Sequence, residues 1–101
     1  MNHQDKTLSP KERAKALLSI MNLDEKIAQM QCFYIQDFID QNGRFADDGK
    51  IGAAGVGGLA FERVIMPHSV AQEVNIANEI KTYFKQNTRL GIPPFIHAEA
   101  L

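Results

Sequence analysis

The chain has no tryptophan, two tyrosines and a single cysteine, Cys32, in 101 residues. One cysteine excludes an internal disulfide and any Cys-x-x-Cys metal site, and reads most simply as a small buried hydrophobe. An excess of either charge is also missing. The 11 basic and 12 acidic residues are well mixed and sum to −1, so there is no electrostatic footprint for nucleic acid or for an anionic membrane surface. No apolar run reaches the length of a membrane span. The opening "MNHQDKTLSP" lacks the apolar core of a secretory leader, so a cytoplasmic location is expected. What remains is 45% hydrophobic and 23% charged, the make-up of a globular segment with room for one small domain.

The first half predicts two short helices. In "SPKERAKALLSIM", Ser9 and Glu12 form a capping box and Pro10 occupies a position where a helix can spare an N–H. Ala14, Leu17, Leu18 and Met21 then mark one face of a 3.6-residue period. A second start comes at Asn22, with Asp24 and Glu25 in the positive first turn and Leu23, Ile27, Met30 and Tyr34 as the stripe. From Gln36 to Lys50 the pattern lapses into a loop or a frayed helix. Asp37, Asp40, Asp47 and Asp48 lie there, but they lack the alternating ligand spacing and closing glutamate of a calcium loop, and a solvated loop is the simpler reading.

"GAAGVGGLAF" lacks the lysine and hydroxyl residue of a phosphate loop and the glycine spacing of a dinucleotide fingerprint. It reads better as a short buried strand, Val56 to Phe61, whose glycines permit close approach. Residues 68–87 then predict a helix, with Val70, Val74, Ala77, Ile80 and Phe84 on one face. It begins either with Pro67 in its first turn or with Ser69 as cap. Gly91 supplies a turn and Pro93 opens a second strand through His97.

Strand, helix and strand make one parallel unit, which normally lies within a larger sheet covered by helices. Two strands alone leave both edges open. The end "PPFIHAEAL" breaks off within such a strand, and the chain is therefore expected to be an N-terminal piece of a larger α/β protein.

Taken together, "SPKERAKALLSIMNLDEKIAQM", "GVGGL" and "NEIKTYFKQNTRLGIPPFIHAEAL" resemble the N-terminal part of glycoside hydrolase family 3, the β-glucosidases and β-xylosidases. The resemblance runs from about Leu8 to Leu101, is weakest over 36–50, and is most specific in "TRLGIP" followed by "HAEAL". It implies the opening of a (β/α)8 TIM-type barrel, with residues 1–50 as leading helices and loop and 51–101 as the first, truncated strand–helix–strand unit. It also implies a carbohydrate substrate, a retaining exo-acting hydrolysis of terminal β-xylosyl or β-glucosyl residues, and no metal or organic cofactor.

By the same resemblance Glu99 is the substrate-binding residue: a carboxylate at the end of a barrel strand that accepts charge-assisted hydrogen bonds from vicinal sugar hydroxyls. Glutamate at this position, where family glucosidases commonly have aspartate, tilts the reading toward xylosides. Ala98 departs from the acidic residue often found there. The nucleophile and the acid/base residue of a retaining mechanism lie beyond residue 101, in the family's case an aspartate in a Ser-Asp-Trp context, so the chain alone is expected to be inactive. Without the resemblance, a single glutamate near a strand end is more often simply solvated. His97 reads as a core histidine that secures the strand end, and His3 and His68 carry no site. The alternative is a small helical interaction module in which the stripes bind a partner protein and the strands are incidental.

Overall fold

In a computed structural model, which describes residues 2–61 and 69–98, the chain folds as three helices and a three-stranded parallel sheet. Each helix starts where its cap stands in the sequence. Helix α1, Pro10–Ile20, is capped by Ser9, whose hydroxyl accepts from the Glu12 N–H while the Glu12 carboxylate accepts from the Ser9 N–H. Helix α2, Leu23–Ala28, repeats the arrangement with Asn22 and Glu25. Helix α3, Val70–Asn87, uses Ser69 and Gln72, so of the two candidate starts Ser69 is the cap; Pro67 and His68 lie outside the described residues.

Helix α2 is shorter than its apolar stripe suggests. It ends at Ala28, and the chain turns through Gln29–Gln31 into strand β1, Cys32–Tyr34, which helical spacing alone assigns to the helix. Leu23, Ile27, Met30 and Tyr34 are accordingly not a buried face: all four are exposed, Met30 at 82%. The physical reason lies in the backbone bonds made just past the helix. The Ala28 carbonyl accepts from the Gly57 N–H and the Gln31 carbonyl from the Gly58 N–H, so the chain after α2 is held against the start of strand β2, Gly58–Phe61. Gly57 is required at this crossing, because a Cβ there would fall on the Gln29 carbonyl group.

The strand order is β1-β2-β3, with β3 spanning Phe95–Ala98 and Cys32, Gly58 and Phe95 in register. Strand β2 is central and wholly buried. Because side chains alternate along a strand, Phe33, Leu59, Phe61 and Ile96 share one face of the sheet. There they meet Ile35 and Phe38 of the 3₁₀ turn that follows β1, together with Ile51, Val56 and the inner side of α3. That inner side is Ile76, Ile80, Tyr83 and Phe84, rotated from the expected stripe: Val70 and Val74 are exposed, whereas Ile76 is buried. Helix α1 likewise buries Ala16 and leaves Leu18 exposed.

The segment between β2 and β3 contains α3, an αβ crossover of the ordinary parallel kind. The connection from β1 to β2 has only the 3₁₀ turn Ile35–Phe38 and a loop, a departure from strict strand–helix alternation. The parallel sheet and its helices are compatible with a piece of a barrel. Among the described residues no helix is long and apolar enough to cross a membrane.

Candidate functional site at the carboxyl edge of the sheet

In parallel α/β architecture, ligands collect where strands end at their carboxyl termini, because the loops leaving that edge are free to vary while the sheet fixes their roots. Here that edge is formed by Tyr34, Phe61 and Ala98. Beside it lies a cavity of about 260 Å³ lined by Phe61, Val70, Glu73, Val74, Ile96 and His97, among others. Its described walls are mostly apolar, with Glu73 from α3 among them. Glu99, the residue expected to bind substrate, is the second residue after His97 in sequence and lies outside the described residues.

The strand leading to it is held from behind. Arg89, in the turn between α3 and β3, donates through Nε and Nη2 to the two oxygens of Glu25 at 2.5 and 2.6 Å. A further bond runs from Nη2 to the Ile20 carbonyl, and the Arg89 backbone N–H donates to the Ala53 carbonyl. Glu25 is only 3% exposed, and it also accepts from the Asn22 N–H. The Arg89 guanidinium, together with the Asn22 N–H, holds this carboxyl below the usual carboxylate range against the opposing cost of burial. A fork-to-fork pair of this kind fixes angle as well as distance. It joins the α1–α2 junction, the loop before β2 and the approach to β3, which explains a structural requirement for arginine in "TRLGIP" that residue spacing does not reveal.

Two expectations are corrected on the other face of the sheet. Cys32 is exposed, not buried, and His97 is exposed, not a core histidine. Both project from the side opposite Leu59, which no described element covers; Tyr34 and Phe95 on the same side are 52% and 85% exposed. Cys32 Sγ and His97 Nε2 nevertheless meet at 3.3 Å, although their strands flank β2. The contact is possible because the intervening residues on this face are Gly58 and Ala60, over which side chains from β1 and β3 can lean. The signal for it in sequence is the pair of small residues at alternate positions of β2. His97 does secure the strand end by a hydrogen-bonding contact, though on the open face. Among the described residues no three His, Cys, Asp or Glu side chains converge as a metal site would require.

Two of the loop aspartates have structural duties. Asp40 accepts from the Asn42 and Arg44 N–H groups, and Asp47 from those of Gly49 and Ile51. Asp47 also accepts from the Tyr83 hydroxyl at 2.6 Å, and burial followed by this carboxylate pushes Tyr83 up to about 12.

Fold and edge together define a segment of parallel α/β architecture with a cavity beside the carboxyl ends of its strands. No protein-family profile matches the chain. Across 107 aligned residues it is 28% identical to a protein of Formosa agariphila described as "Putative beta-xylosidase", a match covering 98% of this chain. The chain spans 14% of that relative's length.

Proposed function

We propose that this chain is the opening part of a β-glycosidase of the family 3 kind, acting on terminal β-xylosyl or β-glucosyl residues, and that its contribution to the active site is Glu99. The observation that carries the proposal is the coincidence of two facts. The relative described as "Putative beta-xylosidase" aligns with nearly the whole chain, and Glu99 is the next residue in sequence after β3, whose carboxyl end is the kind of edge where parallel α/β proteins bind ligands. The coarser part, a glycoside-hydrolase-like origin, rests on the alignment alone; the family, the barrel and the preference for xylosides go beyond it.

In this reading the chain's residues bind and orient, and the chemistry is done elsewhere. An ionised glutamate accepts hydrogen bonds from two neighbouring sugar hydroxyls and sets the ring relative to the reacting groups. Glu25 and Arg89 act at one remove, fixing the turn from which β3 departs. Cleavage requires a nucleophilic carboxylate and an acid/base carboxyl. Neither is assigned to this chain, so purified chain of 101 residues should not hydrolyse aryl β-xylosides or β-glucosides, whereas the intact parent polypeptide should. Turnover by the chain alone, free of host enzyme, would sink the proposal, as would an intact parent inert toward both substrate classes.

The interaction-module alternative draws support from the exposed apolar residues of α2 and the open sheet face. Its premise that the strands are incidental conflicts with β2, the most deeply buried element of the fold.

A further inference from the structure

A second cavity, of about 410 Å³, lies away from the carboxyl edge, between α3 and the loop after the 3₁₀ turn. We propose that it is a binding site for a neutral saccharide, distinct from the Glu99 site. The argument begins with charge. The two acidic groups around it are already engaged: Glu79 accepts from Arg44 Nε at 2.9 Å and from the Phe45 N–H at 3.0 Å, and Asp47 accepts from Tyr83. Its cation, Arg44, is the partner of Glu79. The groove therefore offers no unbalanced charge to a ligand.

What it does offer is hydrogen bonding without charge. Asn78, Thr82 and Gln86 succeed one another at four-residue intervals, so they stand in a row along one side of α3. Among the described residues none of the three side chains makes a hydrogen bond. Amides and hydroxyls both donate and accept, which matches successive hydroxyl groups on a sugar ring. Beside the row stand Phe45 and Tyr83, packed edge to face with centroids 5.3 Å apart, an apolar wall for the C–H face of a pyranose. The wall is preorganised: Glu79 and Asp47 tie the loop to α3, and the Ile39–Phe45 bridge closes it. The volume suits one or two sugar rings.

The ligand class comes from these residues and does not rest on the hydrolase proposal. The test is an amide-resolved NMR titration of the 101-residue chain with xylobiose and with cellobiose, with glycerol as control. Shifts confined to residues 42–47 and 78–87, saturating in the millimolar range with either disaccharide, are expected. Asn78→Ala combined with Gln86→Ala should weaken binding about tenfold, the worth of two neutral hydrogen bonds. Alanine at exposed helical positions leaves the fold intact, and unchanged shifts elsewhere verify that. No shifts at about 50 mM disaccharide, well above the millimolar range, would overturn the proposal. So would equal shifts with glycerol, or an unaltered affinity in the double variant. Because no turnover is read, these outcomes are separate from those that decide the role of Glu99.

Discussion

Glu25 is a charged side chain at 3% exposure, and it holds that place because its oxygens are shared by the Arg89 guanidinium and the Asn22 N–H. Its carboxyl is held below the ordinary 4.5, mainly by the bond to Arg89, so its contribution to stability is complete above 4.5 and is lost as pH falls through the depressed value. Thermal melts should show a midpoint that declines below about pH 4.5, and Glu25→Gln should flatten that acid limb while lowering the midpoint at neutral pH. An identical acid limb in the variant would remove Glu25 from the account. Gly57 makes a different kind of demand. A methyl group there meets the Gln29 carbonyl, a backbone atom that cannot swing aside, and Gly57→Ala should cost about 1–3 kcal/mol in denaturant unfolding, the usual range for overpacking. The close approach at Gly57 is legible in the strand glycines, though its partner Gln29 is not, and Glu25 reads only as a favourable first-turn charge. Local pattern shows that a residue suits its element, whereas a partner 64 positions away is a product of the fold.

At the scale of elements, the caps are the most legible feature. Ser9, Asn22 and Ser69 each accept from the N–H three residues on, because a cap is a local hydrogen bond whose partners are fixed by spacing. Ser69→Ala should therefore destabilise the chain by about 1 kcal/mol. Phase is harder to read. The expected stripe of α3 places Val70 and Val74 inward with Ile80 and Phe84, but the sheet takes Ile76, Ile80 and Phe84. Phe84 is fully buried, and Phe84→Ala should cost about 3–5 kcal/mol, against less than about 0.5 for Val70→Ala on an exposed surface. Equal costs would contradict the assigned phase. Strand β1 escapes a reading of the sequence because Tyr34 continues a helical spacing from Leu23, Ile27 and Met30, and a three-residue strand has too few positions to show a period of its own. Its existence is decided by pairing with β2, which no short window contains.

At the scale of the whole molecule, the sheet is covered on one side only by described elements. Leu59, Phe61 and Ile96 face a core built by α3 and the 3₁₀ turn; Cys32, Tyr34, Phe95 and His97 face outward. An apolar sheet face with Phe95 at 85% exposure favours association and dye binding, and Phe95→Lys should reduce both without loss of helix signal. The parallel unit, β2 to β3 through α3, is legible because strand, helix and strand each carry their own turn and cap signals. The role proposed for Glu99 rests on resemblance alone, since one carboxylate has no local signature of sugar binding. That proposed role is the centre of the account, and the most direct test is kcat/KM of the intact parent polypeptide on an aryl β-xyloside, with and without Glu99→Gln. If Glu99 grips two hydroxyls, losing charge-assisted bonds to both should lower kcat/KM about 100-fold or more while the melting temperature stays put. A variant as active as the parent would contradict the account.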